Sequence, residues 1–161
     1  SGSSRGLGDV YKRQDLGHWR HNSHSKDLNR DWGFFTQLET KIINNDIMAS
    51  IKNNEAILLI DFHSTTENIF YIQNEAYLKG YKFANKWLSK NSNNLKNYEY
   101  SIKPTINKKN GVAKNYFNSV FSIPTITYEV GDNTNREAIK SAARKFANSM
   151  MIVLLNDDST T

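Results

Sequence analysis

The sequence predicts an α/β fold in which helices alternate with buried strands of a mixed, mostly parallel sheet. Three observations predict it. The run AILLIDF at residues 56–62 is apolar almost throughout, which is typical of a strand buried on both faces. The segment IPTITYEV at residues 123–130 is rich in β-branched and aromatic residues, as strands are. Around these two runs, apolar residues recur at helical spacing.

The elements of the first half follow in order. Residues 15–35 are polar and rich in Gly, Asn and His, which predicts a loop. Thr36 and Glu39 have the spacing of a capping box. The apolar residues behind them predict a helix: Leu38, Ile42, Ile43, Ile47, Met48 and Ile51. AILLIDF is then the first strand, and IFYIQ at residues 69–73 is a short second one.

The second half continues the alternation. Residues 75–90 predict a helix, with one face formed by Tyr77, Tyr81, Ala84, Trp87 and Leu88. Residues 91–111 read as a polar connection, and residues 112–121 as a short helix before the strand IPTITYEV. Thr134 and Glu137 form a second capping box. The helix behind it carries Ile139, Ala142, Ala143, Phe146, Met150 and Val153.

Composition excludes several classes of protein. The 161 residues suit one domain and include no cysteine, which removes disulfides and thiol nucleophiles. No apolar run approaches the roughly 20 residues of a membrane-spanning helix. The net charge of +5 is mild and its lysines are scattered, so it indicates a solvated surface first and a bias toward anionic ligands second. Aromatic residues near the first arginines form no nucleic-acid-binding motif, so we predict no nucleic-acid partner.

The two ends differ from the rest of the chain. Residues 1–14 carry no hydrophobic periodicity and resemble adapter-derived read-through, so we interpret them as a non-native or disordered leader. Residues 157–161 read as a frayed tail. The predicted domain therefore spans residues 15–156.

Polar side chains end both long strands. Asp61 and His63 follow the first apolar run, and Glu129 closes the second strand just before Gly131. Ligands of α/β sheets bind at the carboxyl ends of strands. An imidazole there is a common metal ligand, and a carboxylate there can act as a general base. Taken singly, each has a structural alternative: a hydrogen-bonded histidine for one and a salt bridge for the other.

A third group lies in the loop GHWRHNSHSKDLNRDWG at residues 17–33. Its functional candidates are Arg20, Asp27, Asn29 and Arg30. The planar fork of an arginine matches a carboxylate, and an Asn amide beside it adds a donor. A second arginine can place positive charge where an oxyanion develops. The alternative is a charged surface loop.

The three segments together, in the order WR…KDLNRDW, DFHS and TYEVGD, resemble the zinc metallocarboxypeptidases of the carboxypeptidase A type. The resemblance runs from about residue 17 to about residue 137. It implies a three-layer α/β/α sandwich around a mixed sheet, one zinc ion, and hydrolysis of the C-terminal peptide bond of a substrate with a free carboxylate. It also favours an extracellular or periplasmic location, and the Asn, Lys and Ile usage hints at a bacterial source.

The resemblance implies roles at the metal and for the base. His63 corresponds to the third zinc ligand. Glu129 corresponds to the base that activates a zinc-bound water. Asp27 corresponds to the carboxylate that orients a zinc-bound histidine.

It also implies roles at the substrate. Asn29 and Arg30 bind the C-terminal carboxylate, and Arg20 polarises the scissile carbonyl. The family places a mobile tyrosine over the substrate, for which Tyr100 and Tyr116 are the candidates in this chain.

One part of the family pattern is absent. The first two zinc ligands come from an H-x-x-E motif, and none of the 62 residues before His63 spells it. One histidine does not hold a catalytic zinc, which normally has three protein ligands. We therefore expect an inactive C-terminal fragment whose missing upstream segment carries two ligands and the first strands. His18, His21 and His24 form an alternative H-x-x-H-x-x-H series, but Ser and Asn around them favour a loop.

Three further interpretations stay open. Aspartoacylase and succinylglutamate desuccinylase share the DLNR, D-x-H and EVG spellings, so the substrate is alternatively an N-acyl amino acid. A metal-free pseudoenzyme that keeps the carboxylate pocket is another alternative. A set of lysines reads first as a solvated loop and second as a positive field at the mouth of the cleft: Lys103, Lys108, Lys109 and Lys114. The oligomeric state stays open.

Overall fold

A computed structural model describes residues 20–53, 56–91, 95–106, 108 and 110–156. A 3₁₀ turn at Leu28–Arg30 comes first. The helices are α1 (Leu38–Lys52), α2 (Leu78–Ser89), α3 (Ala113–Phe121) and α4 (Arg136–Leu155). The strands are β1 (Leu59–Thr65), β2 (Ile69–Gln73), β3 (Ser101–Thr105) and β4 (Thr125–Gly131). The predicted leader, the predicted tail and His18 lie outside the described residues, so the predicted domain limits stay predictions.

The four strands form one mixed sheet in the order β1-β4-β2-β3. The pairs β1–β4 and β2–β3 are parallel, whereas β2 and β4 are antiparallel. Helices flank the sheet on both faces, so the predicted α/β fold with a mixed, mostly parallel sheet is confirmed. Within the described residues β1 is an edge strand, and its Phe62 is 68% exposed.

The main core lies between the sheet and helices α2 and α4. Phe70 of β2 stacks on Tyr128 of β4 with ring centroids 4.1 Å apart, and meets Phe146 of α4 edge-on at 5.0 Å. Trp87 of α2 joins them and donates from Nε1 to the carbonyl oxygen of Phe146 at 2.8 Å. Because strand side chains alternate between faces, the residues between these aromatics face the opposite side of the sheet, where α3 packs.

Two strands differ from the sequence interpretation. The stretch predicted as a polar connection contains β3, an edge strand in which Pro104 pairs with Ile72. An edge strand tolerates proline because one side of its backbone needs no ladder donor. β1 begins three residues after the predicted start and continues to Thr65, so His63 lies within the strand.

Both predicted capping boxes are wrong about the capping residue. Gln37 is the N-cap of α1 and makes no side-chain cap, while Thr36 bonds to the carboxylate of Asp31. At α4 the N-cap is Asn135, whose Oδ1 accepts from the amides of Glu137 and Ala138. Residues with the spacing of a capping box also occur where no capping box forms, because the tertiary neighbours of each threonine decide whether its side chain caps the helix.

Helix α1 turns its polar side inward. Thr40 and Asn44 are buried, whereas Leu38, Ile42 and Ile43 are exposed. Thr40 is drawn in because its hydroxyl donates to the buried Asp31 carboxylate. Each described helix is too short or too polar to cross a membrane.

Candidate active site

The parallel pairing of β1 with β4 brings the two strand-end candidates together. His63 and Glu129 are register partners, and they lie on the face of the sheet opposite the aromatic core. Oε2 of Glu129 is buried and has no hydrogen-bond partner among the described residues. Burial raises the pKa of Glu129; Asp61 and Asp132 also raise it, against the lowering effect of His63 and Arg20. This carboxyl group therefore keeps its proton to a higher pH than an exposed glutamate.

Two polar side chains lie within hydrogen-bond distance of the His63 imidazole, both at the same ring nitrogen. Its Nε2 lies 2.7 Å from Oδ2 of Asp61 and 3.3 Å from Nδ2 of Asn29. The bond to Asp61 raises the pKa of His63, with a smaller opposing effect from burial. Nε2 donates a hydrogen bond to Asp61 or accepts one from Asn29, but does not do both at once. When Nε2 donates to Asp61, the neutral ring keeps its lone pair on Nδ1, which is the form that a metal ligand needs.

In the loop before α1, the carboxylate of Asp27 holds both Arg20 and Asn29 in position. Asp27 accepts from Nε of Arg20 at 2.8 Å and from the amide of Asn29 at 2.9 Å. Burial opposes ionisation, but these two partners and the charge of Arg30 hold the pKa of Asp27 below its usual value. Its bonds thus run to Arg20 and Asn29. The role implied for Asp27, orienting a histidine, is not seen among the described contacts.

Asn29 connects this loop to helix α3. Its Oδ1 accepts from the amide of Ala113 at 2.9 Å, and its Nδ2 faces His63. Beside it, Gly111 has φ +83° and runs so close to Arg30 that an added Cβ would lie 2.4 Å from the Arg30 carbonyl oxygen. Only glycine fits that approach, so the loop and the start of α3 are fixed against each other.

These side chains line one cavity of about 480 Å³. The structure brings together the candidates Arg20, Asn29, Arg30, His63 and Glu129 there. A second cavity of about 370 Å³ shares Arg20, Asn29 and His63 with the first and adds Asp27 and Asp61. Five residues that are up to 109 positions apart in the sequence (Arg20 to Glu129) therefore form one polar surface.

Neither tyrosine candidate lines this cavity. The hydroxyl of Tyr100 donates to the carbonyl oxygen of Leu88 at 2.8 Å, and its ring packs on Phe70 in the core. Tyr116 stacks on Trp32 at 6.4 Å and lines a separate cavity. Both are candidates from their position along the chain; their rings are held in aromatic packing, and the role over the substrate stays a prediction.

The alternative histidine series stays untested as a metal site, because His18 lies outside the described residues. His21 and His24 are exposed on a turn closed by the buried Asn22, whose Oδ1 accepts from the amides of His24 and Lys26. No group of three or more His, Cys, Asp or Glu side chains able to hold a metal ion occurs in the described part of the chain.

The absence of such a metal-binding group among the described residues applies also to the cavity that contains His63. The described residues offer His63 as one plausible ligand and do not by themselves fit a complete catalytic zinc site, which needs three.

Sequence reasoning missed several residues that line the cavity: Ser64, Tyr71, Thr105, Asn115 and Thr127. Lys114, which the sequence places first in a solvated loop and second in a positive field at the mouth of the cleft, lines the cavity and is only 4% exposed. Tyr71 and Thr127 are paired across β2 and β4 and alternate with the core aromatics. The sequence of each strand shows this alternation, but it does not show which strands are neighbours in the sheet.

Comparison with known proteins gives a structural match without a sequence match. Neither a protein-family model nor a curated protein sequence matches this chain. Its fold is similar to the crystal structure of a metallo-carboxypeptidase from Burkholderia cenocepacia, with a TM-score of 0.57 and 16% sequence identity. The similarity covers 86% of this chain and 40% of that protein, so the chain spans well under half of its length. At this identity the match supports a metallocarboxypeptidase-like fold.

Proposed function

We propose that this chain is part of a hydrolase of the metallocarboxypeptidase type, which releases the C-terminal residue of a peptide. The observation that carries the proposal is the single cavity lined by Arg20, Asn29, Arg30, His63 and Glu129. It combines carboxylate recognition, an imidazole and a partly desolvated carboxyl group in one place, on a metallocarboxypeptidase-like fold.

The loop before α1, which carries Arg20, Asn29 and Arg30, would bind the substrate. Arg30 and Asn29 offer a guanidinium and an amide to the free terminal carboxylate, which restricts cleavage to chain ends. Arg20, whose guanidinium is anchored through Nε by Asp27, provides positive charge for the scissile carbonyl as its oxygen becomes negative. Carboxylate binding and charge stabilisation thus come from neighbouring parts of one loop.

Glu129 is the proposed general base. Its unpaired Oε2 can accept a proton from the attacking water and later deliver it to the leaving amine. Burial raises its pKa toward the range in which a carboxyl group both takes and releases protons.

Zinc is the proposed cofactor and would supply Lewis-acid polarisation. His63 would provide one ligand, and two further ligands would come from chain outside the described residues.

The test uses the full natural chain purified with zinc. We expect release of the last residue from a peptide with a free C-terminus and at least a hundredfold slower cleavage of the same peptide as its C-terminal amide. Glu129→Gln should reduce turnover by about a thousandfold or more with zinc content unchanged, since removing a general base costs roughly 10²–10⁴-fold.

The outcomes separate the alternatives. Equal cleavage of acid and amide would contradict exopeptidase action, and undiminished turnover in Glu129→Gln would remove Glu129 as the base. Hydrolysis of N-acyl amino acids with no action on peptides would favour the deacylase alternative. Location outside the cytoplasm, and the absence of nucleic-acid and membrane partners, stay predictions.

A further inference from the structure

A buried lysine lies in the candidate active site with no role in the reaction described above. Lys114 is 4% exposed and lines the cavity shared by Arg30 and Glu129. Lysine is almost never fully buried unless it is paired, because removing an ammonium group from water is costly, and Lys114 has an interaction partner of its own within the protein. Burial lowers the pKa of Lys114 to about 8, so the ammonium form still predominates at pH 7.

The position of Lys114 is fixed relative to the carboxylate-binding pair. The preceding residue, Ala113, donates its amide to Oδ1 of Asn29 at 2.9 Å. Three residues upstream, Gly111 accepts from the amide of Trp32 at 3.2 Å and packs directly on the Arg30 backbone. The two segments therefore form one unit in which Lys114 and Arg30 face a common space.

The surroundings of that space are polar. Tyr71, Thr105 and Thr127, each with a hydroxyl group, line the same cavity as Lys114, and the hydroxyl of Thr105 donates to the carbonyl oxygen of Ile72 at 3.2 Å. Arg20, Arg30 and Lys114 line this cavity with three cationic groups, of which Arg20 is paired with Asp27, against one lining carboxyl group, that of Glu129. Such a cavity favours a ligand with two negative charges over one with a single charge and an apolar side chain.

We propose that Lys114 makes this site selective for substrates whose C-terminal residue has an acidic side chain. The α-carboxylate binds at Asn29 and Arg30, and the side-chain carboxylate binds at Lys114 with help from the neighbouring hydroxyls. The inference rests on the proposed function, because it assumes that the cavity receives a C-terminal residue.

The experiment compares two ligands of equal shape. The chain is titrated by calorimetry with N-acetylglutamate and with N-acetylglutamine, which differ only in the charge of the side chain. We expect N-acetylglutamate to bind at least tenfold more tightly, as a charge-assisted hydrogen bond in a buried site provides. The matching assay in the full chain with zinc compares peptides ending in Glu and in Gln.

Variants of Lys114 test whether this residue causes the preference for N-acetylglutamate. Lys114→Met keeps the length of the side chain and should remove the preference, whereas Lys114→Arg should retain most of it. Lys140→Met, at an exposed position on α4, is the control for loss of a positive charge and should change nothing. Thermal melts establish that each variant is folded, and the comparison of the two ligands on the unmodified chain needs no variant.

The outcomes distinguish the two proposals. If both ligands bind equally and both weaken in Arg30→Ala, the carboxylate site stands and selection by Lys114 is wrong. If neither ligand binds, both the carboxylate site and the selectivity are wrong. A preference for N-acetylglutamate that survives Lys114→Met would also overturn the assignment to Lys114.

Discussion

Asp31 and Glu129 each have a buried carboxylate oxygen, but the hydrogen bonds around the two groups differ. Asp31, in the loop before α1, is 5% exposed and accepts from the amides of Thr36 and Gln37 at 2.9 Å and from the hydroxyls of Thr36 and Thr40. Glu129, at the end of β4, has a buried Oε2 without a described partner. Burial alone would raise both pKa values, but the bonds hold the pKa of Asp31 at about 2 while that of Glu129 is raised.

The contrast separates a structural carboxylate from the one proposed as the general base. At Asp31, local donors stabilise the charge, and the result is a fixed loop and a fixed start of α1. At Glu129, desolvation is not compensated by donors, so the group destabilises the fold slightly when ionised and remains available to take a proton. Neither feature is visible from burial alone, because it is the hydrogen bonds that differ.

The largest expected effect is at Asp31. Asp31→Asn removes the charge and turns an NH₂ group toward donors, so at least one buried donor loses its acceptor. We expect a loss of unfolding free energy of about 3 kcal/mol, measured by urea denaturation. The control is Asp46→Asn on the exposed side of α1, with a change within about 0.5 kcal/mol. A small loss at Asp31 would mean that its bonds do not order the loop.

Protonation of Asp31 at low pH should remove its contribution to the stability of the fold. The folded pKa of Asp31 is about 2, against an ordinary value of 3.8, so its stabilisation is present above pH 4 and is lost as the pH falls toward 2. The loss corresponds to about 2 kcal/mol. Thermal melts of the natural chain and of Asp31→Asn should converge over that interval. Parallel pH curves would contradict the assignment.

Asn29 connects the loop before α1 to His63 of β1 and to helix α3, and its replacement should show an intermediate effect. Asn29→Ala leaves the buried amide of Ala113 without its acceptor, which costs about 1–2 kcal/mol. Amide hydrogen exchange should accelerate at Ala113 and remain unchanged at buried amides of α4. Unchanged exchange at Ala113 would show that α3 does not depend on this bond.

The smallest expected stability effect is at Glu129, with the opposite sign. Because its folded pKa is raised, ionised Glu129 costs stability as the pH rises above its ordinary value of 4.5. Glu129→Gln should leave the melting temperature at pH 7 unchanged or slightly higher. A clear fall would mean that the carboxylate is a structural group like Asp31.

The local sequence was sufficient for most elements. The segment IFYIQ coincides with β2, and the short helix predicted at residues 112–121 is α3 within one residue. The apolar runs that stop at polar residues located β1 and β4 and placed His63 and Glu129 in their C-terminal halves. These are properties of consecutive residues, so they can be read along the chain.

Elements that depend on a neighbour were missed. β3 has little apolar patterning and exists because β2 pairs with it. Asn135 rather than Thr134 caps α4, while Nδ2 of Asn68 donates to the hydroxyl of Thr134. Tyr100 looked like a site residue by its position, but its ring completes the aromatic core.

The sequence by itself determined the α/β class, the order of most elements, and a set of residue types suited to carboxylate recognition and hydrolysis. Only the tertiary structure decided that Arg20, Asn29, Arg30, His63 and Glu129 share a cavity, that the two tyrosine candidates lie outside it, and that the buried Lys114 lines it. The physical reason is that strand order, register and loop docking are set by contacts between distant segments. Burial, and with it the pKa of each group, follows from those contacts.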